Sequence, residues 1–503
     1  MLTALICIPI LFALVLLMMS NANSSGIARI SVIGSSTTFF LSLVLVWMFD
    51  SHEAGMQFVE DFKWIPMLNI HYLLGVDGIS IWMVSLTTLL SSVAIFYGLR
   101  QKENLRFFMI LLLVLEAGTL GVFLSLDTIL FYVFWELMLV PTYFLIGIWG
   151  EGDRIYATTK FVIYTLVGSL LMLVAMVALS FVHYNVTHHL TFDIRDLQYL
   201  NIDHNTQIWM FLFFFIAFAI KIPIFPFHSW LPHTYVACPI PVLILLTGVM
   251  SKTGAYGFIR FVIPLFPEAM NMMGWFVGGM AAVGMVYGAW AAIAQKDIKS
   301  LVAWSSVSHL GFIVLGIFAL TDQGMEGSIL QMVNHGIIAS ALFIIVGFLE
   351  EKVGSRNLEN LRGLRKAMPF LYGAFMLITM AALGLPGLNG FVGEFLILVG
   401  VWTSNAFNGY SGIYVLFGGL SIVFASIYML YFFQGVMQEK NENLPQNLKD
   451  IDEKEAGLLV PACILILVIG LYPKPFIDKI SHSAKHVLHI EKTIGEKTLS
   501  GGH

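Results

Sequence analysis

Long runs of apolar residues recur from one end of this sequence to the other, and they constrain its fold more than any other feature. A helix rises 1.5 Å per residue, so a run of about 18 to 25 apolar residues covers the roughly 30 Å of hydrocarbon in a bilayer. Only 11% of the residues are charged, whereas soluble domains carry about 25%. The pattern therefore predicts an all-α integral membrane protein.

The apolar runs are long enough for about fourteen transmembrane helices. We predict them at residues 2–19, 30–49, 77–98, 107–126, 128–149, 161–184, 207–226, 240–265, 272–294, 301–320, 328–350, 368–403 (interrupted), 411–434 and 456–473. The first run has no basic residue before it and no small-x-small cleavage site. We therefore expect it to remain as helix 1 rather than to act as a removed signal peptide.

Lysine and arginine are distributed unequally between alternate loops. The loops after odd-numbered helices carry most of these residues, among them Arg100 and Lys352. The loops after even-numbered helices carry only Lys63 and Arg195. The positive-inside rule then places the odd loops in the cytoplasm and both termini on the outer, periplasmic side of a bacterial inner membrane.

Three polar segments fall on the predicted outer side. The acidic connection at 50–61 and the polar connection at 188–205 are expected to be loops without a recognisable motif. The tail from Tyr472 onward carries five lysines, against the charge rule, and is weakly amphipathic. We expect this tail to lie at the membrane interface.

The sequence contains no pattern for a redox centre or a nucleotide site. Its three cysteines, Cys7, Cys238 and Cys463, are scattered without a CxxC spacing, whereas iron–sulfur clusters are usually held by sets of four. Neither GxGxxG nor GxxxxGK[ST] occurs at a strand-to-helix turn. Redox chemistry or nucleotide hydrolysis would therefore have to occur on another polypeptide.

Two of the predicted helices are interrupted beside a charged residue. Helix 7 reaches Lys221 and breaks in KIPIFPFHSWLP, and helix 12 breaks just before Glu394 in GLPGLNGFVGEF. Proline removes a backbone donor and kinks a helix. Unwound backbone at membrane depth is tolerated only where it is buried in protein or lines a wet cavity. At 1.5 Å per residue, the apolar run before Lys221 places this lysine about 20 Å below the outer surface.

The two interruptions predict an internal duplication. If helices 4–8 and 9–13 form two units, the broken helix is the fourth member of each, and an odd number of crossings inverts the second unit. Inverted repeats with discontinuous helices are typical of transporters. We predict helices 1–3 at 1–106, the two repeats at 107–265 and 266–440, and helix 14 with the tail at 441–503. This alignment matches Lys221 with Glu394, and Glu136 with His309.

A row of titratable residues lies within the predicted membrane helices. An acidic or basic side chain at the centre of such a helix costs about 2.5–3.5 kcal/mol. Replacing a buried ion pair by apolar residues is often neutral or stabilising, so fold stability is a poor reason to keep these groups. We interpret the row as a proton relay, and its members are Glu136, Lys221, Lys252, His309, His335 and Glu394.

Packing roles are the alternative for several polar residues. A lone membrane histidine is often a satisfied packing residue, and this alternative stays open for His309 and His335. Lys252 is too central to reach the interface, whereas Arg260, farther along the same helix, is expected to snorkel to it. Asp127 precedes helix 5 and is predicted to be its N-cap.

The pairing of Glu136 with Lys221 predicts a protonation switch. Desolvation weakens the hold of a lysine on its proton, and a carboxylate at about 4 Å opposes this by roughly 4 kcal/mol at an effective dielectric of 20. A closed pair keeps the lysine charged, and an open pair lets the proton leave. A purely structural ion pair is the alternative. Glu116 on helix 4 is a further buried carboxylate without an identified partner.

Six motifs of this sequence resemble those of the antiporter-like subunits of NADH:quinone oxidoreductase, respiratory complex I. Within that family the resemblance is to the M chain, the mitochondrial subunit 4 type, and it covers about residues 70 to 435. The motifs occur in family order and are FWELMLVPTYFLIGIWG, KIPIFPFHSWLP, SKTGAYGFIRF, QKDIKSLVAWSSVSHLGF, QMVNHGIIASALF and GLPGLNGFVGEFLIL.

The resemblance implies a fourteen-helix fold with two inverted five-helix repeats and roles for the titratable row. It makes Glu136 and Lys221 the switch pair, Lys252 with His309 and His335 the central relay, and Glu394 the distal group. It implies other membrane-arm subunits and lipids as partners, and no nucleic acid. NADH, FMN, iron–sulfur clusters and quinone would be bound by partner subunits, with no cofactor or metal on this chain.

One position departs from the family pattern. After the broken helix 7 the family usually has WLPDAH, whereas this chain has WLPHTY, with His233 in place of the aspartate. If that aspartate assists proton entry, His228 and His233 are the candidates to replace it. The alternatives to a complex I subunit are a subunit of a multi-chain Na+/H+ antiporter or membrane-bound hydrogenase, and a membrane scaffold that conducts nothing.

Overall fold

The computed structural model describes residues 1–439 and 448–500, without the side chains of 491–500. The predicted boundary between 440 and 441 therefore lies outside the described residues. Within the described part, eleven helices are long and apolar enough to cross a membrane, and three shorter apolar helices have 10–17 residues. The all-α, multi-pass membrane class is confirmed, whereas the count of fourteen spans stays a prediction.

The first half of the chain contains the helices that carry Glu136 and Lys221 and one pair of strands. In chain order these elements are α1 (Leu2–Met18), α2 (Ser24–Met48), β1 (Gln57–Ile65), β2 (Ile70–Val76), α3 (Ile81–Gly98), α4 (Leu105–Leu124), α5 (Thr128–Trp149), α6 (Arg154–Thr187), α7 (Ile194–Leu197), α8 (His204–Lys221) and α9 (Trp230–Ala237).

The second half contains the remaining titratable groups of the predicted row. Its helices are α10 (Ile240–Leu245), α11 (Lys252–Gly257), α12 (Ile263–Leu265), α13 (Pro267–Ile293), α14 (Ile298–Phe318), α15 (Asp322–Val353), α16 (Pro369–Ala382), α17 (Asn389–Trp402), α18 (Ser411–Met437), α19 (Glu453–Leu471) and α20 (Lys474–Ser500). Two π-helical turns, Leu246–Met250 and Phe258–Val262, join α10, α11 and α12 into one span.

The described chain divides into two compact units. The first unit contains residues 1–222, 249–276 and the tail from 478 onward, and the second contains 223–248 and 277–477. The predicted interruptions are both present: α8 ends at Lys221, and α16 is separated from α17 at residues 383–388. The four predicted segments of the chain remain a prediction.

In the first unit, Asp127 connects the start of α5 to the strands. Its carboxylate accepts hydrogen bonds from the N–H groups of Ile129 at 2.9 Å and Leu130 at 3.0 Å, so the predicted N-cap is confirmed. It also accepts from His71 N–H on β2 at 3.0 Å. Burial raises the pKa of the Asp127 carboxyl, and the three backbone donors offset only part of this.

The connection after α2 contains an antiparallel strand pair that the sequence analysis did not predict. Gln57 lies opposite Val76 and Ile65 lies opposite Ile70, with shifts of register between these ends. The residues of β2 are mostly buried, whereas most of β1 is exposed. One buried face in a short segment is a weak sequence signal. The acidic residues of 50–61 favoured a loop there instead of a strand.

The tail forms a helix, α20, whose apolar side chains Ile480, Ala484 and Leu488 are buried in the first unit. Lys479 Nζ donates to the carbonyl of Phe49 at 3.1 Å. Burial lowers the pKa of Lys479, and the nearby carboxylate of Asp50 partly offsets this lowering. The described part of the tail is therefore packed on protein through its apolar face.

The second unit is built around two almost fully buried helices. Along an apolar stretch of 18 residues, all residues of α15 and 94% of those of α14 are buried. Asp297 is the N-cap of α14, and its carboxylate accepts a hydrogen bond from the N–H of Ser300 at 2.9 Å. Thr321 is the N-cap of α15. Because α14 carries His309 and α15 carries His335, both histidines lie in the interior of this unit.

Candidate functional site

Lys221 lies at the last residue of α8, where the helix stops. The N–H of Ile222 still bonds the carbonyl of Phe218 at 2.9 Å, but Pro223 has no N–H with which to extend the ladder. Only 2% of Lys221 is exposed. The side chain of Lys221 is therefore a buried cation at the C-terminal end of α8.

The ammonium of Lys221 lies between two aromatic rings. Its Nζ is 5.2 Å from the ring centroid of Trp135 on α5 and 5.7 Å from that of Phe161 on α6. Glu136 is near enough to act electrostatically on Lys221. Among the described ion pairs, however, none within 4.0 Å joins Glu136 to Lys221. The structure brings the predicted pair together without direct contact.

Glu136 lies on α5 next to a local disruption of the helix. Pro141 is inside α5 and cannot donate to the carbonyl of Leu137, four residues before it. One turn before Glu136, the hydroxyl of Tyr132 interacts with the Glu136 carboxylate and with Ser169 on α6. In the described residues the Oε1 atom of Glu136 is buried without a hydrogen-bond partner. One carboxylate oxygen is thus available to a mobile donor.

Lys252 is fully buried on α11, between the two π-helical turns. Such turns are frequent at functional sites. Gly254, two residues later, allows α11 to approach the end of α8, because an added Cβ would lie 2.7 Å from Phe218 O and 2.9 Å from Ile222 N. The two lysines are therefore carried by helices in backbone contact.

Arg260 does not snorkel to the interface, so that prediction is wrong. It is only 6% exposed, and its Nη2 donates to Asp77 Oδ1 at 2.7 Å while its Nε donates to the hydroxyl of Tyr256 at 3.1 Å. Tyr256 in turn donates to the carbonyl of Phe123 at 3.2 Å. A buried carboxylate partner offsets part of the cost of burying this guanidinium, which an unpaired cation would not tolerate. Asp77 and Arg260 line a cavity of about 330 Å³ in the first unit.

In the second unit His309 makes two hydrogen bonds through its two ring nitrogens. Nδ1 is 3.0 Å from Glu394 Oε1, and Nε2 is 3.2 Å from the hydroxyl of Tyr428. A hydroxyl can accept or donate, and a carboxylate accepts. Both hydrogen bonds therefore persist whether the imidazole is neutral or protonated, so His309 can take up a proton without losing a partner.

Glu394 and His335 complete this cluster. Gln331 Nε2 on α15 donates to Glu394 Oε1 at 3.4 Å. The rings of His309 and His335 have centroids 5.9 Å apart. All three titratable side chains are buried. The structure thus brings together the three relay residues predicted for this part of the chain.

Residues at the second helix break lie close to Glu394 and to α15. Gly384 has φ +76°, and an added Cβ there would lie 3.0 Å from Glu394 Oε2. Asn389, the first residue of α17, and Asn334 of α15 exchange hydrogen bonds of 2.8 and 3.2 Å. These contacts fix the break against the helix that carries His335.

The two histidines after the first break differ in their surroundings. His228 is buried among aromatic rings, with centroid distances of 5.5 Å to Phe225, 5.2 Å to Tyr287 and 5.6 Å to Trp304. His233 is exposed on α9, and its Nδ1 is 3.0 Å from the carbonyl of Ser229. The geometry of His228 is typical of a packing residue, and the role of both in proton entry stays a prediction.

Lys299 and Glu116 are two further titratable side chains buried within the described helices. Lys299 is 1% exposed at the start of α14, and its Nζ donates to the carbonyl of Cys238 at 2.8 Å. Sequence analysis missed it, although Asp297 as an N-cap would have placed it inside the helix. Glu116 on α4 is fully buried, and in the described residues neither of its carboxylate oxygens has a hydrogen-bond partner.

Comparison with known proteins gives one family for most of this chain. The family described as "NADH:quinone oxidoreductase/Mrp antiporter, TM" matches residues 125–425. "NADH-quinone oxidoreductase subunit M" of Rhodobacter capsulatus is 39% identical over 494 residues, covering 96% of this chain and 95% of the relative. "NADH-ubiquinone oxidoreductase chain 4" of Chondrus crispus is 36% identical over 485 residues, covering 96% of each.

Solved structures match over nearly the whole length. A chain of respiratory complex I from Thermus thermophilus superposes with a TM-score of 0.88 at 30% identity, covering 98% of this chain and 100% of that one. A chain of the Mrp complex from Dietzia sp. DQ12-45-1b gives a TM-score of 0.84 at 21% identity, covering 98% and 99%. The second match concerns the fold alone.

Proposed function

Because this chain belongs to the NADH:quinone oxidoreductase/Mrp antiporter membrane-subunit family, we propose that it is a proton-translocating membrane-arm subunit of an NADH:quinone oxidoreductase. One observation carries the assignment of its site: Lys221 is buried at the end of a broken helix, within electrostatic reach of Glu136. A cation kept at such a position without a direct counter-ion has little value for stability alone.

Proton release from Lys221 would depend on its distance from Glu136. At about 4 Å, a carboxylate stabilises the ammonium by roughly 4 kcal/mol at an effective dielectric of 20, and this stabilisation falls as the two separate. Moving a proton against 100 mV requires about 2.3 kcal/mol. The energy difference between the closed and the open pair, up to roughly 4 kcal/mol, is therefore large enough to move a proton against 100 mV.

The remaining titratable residues would pass the proton on. Lys252 is carried by a helix in backbone contact with α8. In the second unit, His309 holds hydrogen bonds to Glu394 and Tyr428 in either protonation state, with the His335 ring 5.9 Å away. We assign Lys252, His309 and His335 to the relay and Glu394 to its distal end. Glu116, His228 and His233 are secondary candidates.

The energy for transport would come from partner subunits. The motifs of this sequence provide no site for a redox group, so we assign NADH, FMN, iron–sulfur clusters and quinone to other chains of the assembly. We place the chain in a bacterial inner membrane with both termini on the periplasmic side, as the distribution of lysine and arginine indicates.

The test is Glu136→Gln in the assembled enzyme, reconstituted into sealed vesicles. We expect proton uptake driven by NADH oxidation to fall at least about tenfold, because the amide cannot supply the charge that closes the pair. Glu103→Gln, the same change at an exposed loop carboxylate, is the matched control and keeps wild-type pumping.

Two results would contradict the proposal in different ways. Normal pumping by an assembled Glu136→Gln enzyme would leave only the scaffold hypothesis. A vesicle-reconstituted assembly that exchanges Na+ for H+ without oxidising NADH would instead favour the antiporter alternative, which the family description also includes.

A further inference from the structure

The ammonium of Lys221 lies over the faces of two aromatic rings. Its Nζ lies 5.2 Å from the Trp135 centroid and 5.7 Å from the Phe161 centroid, both within the roughly 6 Å over which a cation is attracted to a ring. Lys221 is 2% exposed, Trp135 is 3% exposed and Phe161 is fully buried. The attraction between a cation and a ring is strongest when both are shielded from water.

The neighbouring contacts hold the two rings in place. Trp135 packs edge-on against Phe218 at 5.6 Å and in a tilted arrangement against Phe131 at 5.5 Å, so it has aromatic neighbours on two helices. Phe161 is on α6, which packs closely on α8 at Gly168. An added Cβ there would lie only 3.0 Å from Ala217 Cα. Both rings are therefore held by packed neighbours, whereas the lysine side chain has four rotatable bonds.

Trp135 and Glu136 are consecutive residues of α5. Adjacent helical residues point about 100° apart, so α5 presents an aromatic face and a carboxylate in two neighbouring directions. A lysine end that moves between them would exchange a diffuse attraction for a full ion pair. Only the ion pair depends on the charge of Glu136, so the two positions respond differently to that charge.

We propose that Trp135 and Phe161 form an aromatic seat for the protonated Lys221, which competes with Glu136 and holds the switch open. This inference rests on the proposed function of the Glu136–Lys221 pair and assigns its resting position. Trp135 and Phe161 are positioning residues, since they bind the ammonium through ring electrostatics and exchange no proton. Weakening the ring attraction shifts the ammonium toward Glu136, where the full ion pair retains the proton more strongly than the rings do, so proton release becomes slower.

The test replaces Trp135 by tryptophans carrying one to four fluorine atoms, introduced at this position alone in the assembled enzyme. Fluorine withdraws charge from the ring face and changes its size little, so folding and packing are retained. We expect the logarithm of the NADH-driven pumping rate to fall steadily with fluorine number, by about tenfold across the series. The matched control is the same series at Trp290, which is 67% exposed, where the rate stays constant.

The outcomes separate the seat from the switch. A flat series at Trp135 would overturn the seat, whatever Trp135→Leu does, because loss of activity on truncation alone would indicate packing. A decline at Trp135 that Trp290 also gives would overturn it as well. Lys221→Met provides the second measurement: normal pumping in that variant would contradict the proposed function itself, whereas loss of pumping with a flat fluorine series would contradict the seat only.

Discussion

In the first unit Lys221 lies between two rings with Glu136 beyond ion-pair distance, whereas in the second unit Glu394 contacts His309 directly at 3.0 Å. The positions matched by the repeat alignment also exchange charge type. The broken helix carries the base in the first unit and the acid in the second. Under the proposed function, a side chain would have to move in the first unit, whereas in the second a proton would shift along existing hydrogen bonds. External energy would then act most effectively on the first pair.

The largest expected effect in the second unit comes from Glu394→Gln. The change removes the charge from a hydrogen bond worth about 1.5–3 kcal/mol, so we expect pumping to fall roughly ten- to a hundredfold. The measurement is NADH-driven proton uptake by the assembled enzyme, with the exposed Glu453→Gln as control. Unchanged pumping would break the comparison, because the direct His309 contact would then have no part in transfer.

Gly384→Ala is expected to have an intermediate effect on both stability and activity. Its φ of +76° costs a side chain about 1–2 kcal/mol, and the new Cβ would also lie 3.0 Å from Glu394 Oε2. Gly387→Ala is the matched control, since its φ is +92° but nothing lies within 4 Å. Thermal stability should fall in both variants and pumping only in Gly384→Ala. Equal pumping in the two would show that the break does not position Glu394.

The smallest expected effect is that of Tyr428→Phe. It removes the hydroxyl 3.2 Å from His309 Nε2, a hydrogen bond worth about 0.5–1.5 kcal/mol, so pumping should fall about two- to tenfold. Tyr431→Phe removes a hydroxyl from the same helix at a residue that is 48% exposed and should change nothing. A similar decrease in both variants would assign the effect to α18 rather than to His309.

The sequence was sufficient for the class of fold and for both helix breaks, and it predicts a row of titratable residues that no measurement has yet tested. Apolar length and proline or glycine punctuation are local signals, and charged residues in apolar runs are conspicuous. It was also sufficient for Asp127, because an N-cap lies beside its own helix. The arrangement in which Lys221 faces Trp135 was not predictable, because the two belong to different helices and no periodicity encodes their packing.

Partners that are distant in sequence were missed for the same reason. Arg260 and Asp77 are 183 residues apart, and Tyr428 and His309 are 119 apart. The sequence does not show that Asp77 lies beside Arg260, so it favours a guanidinium that reaches the membrane interface. Tyr428 has no charge to mark it within an apolar run. The roles of the six relay residues stay predictions until pumping is measured.

The contact at Gly254 bears on how fast the switch can work. Because α11 meets the end of α8 at backbone distance, the helices that carry Lys252 and Lys221 have little freedom to slide past one another. Under the proposed function, the moving part is then a single lysine side chain, and no collective motion of helices, which takes microseconds to milliseconds, is needed in each cycle. We infer that the first unit can open and close its switch without a rearrangement of its helices.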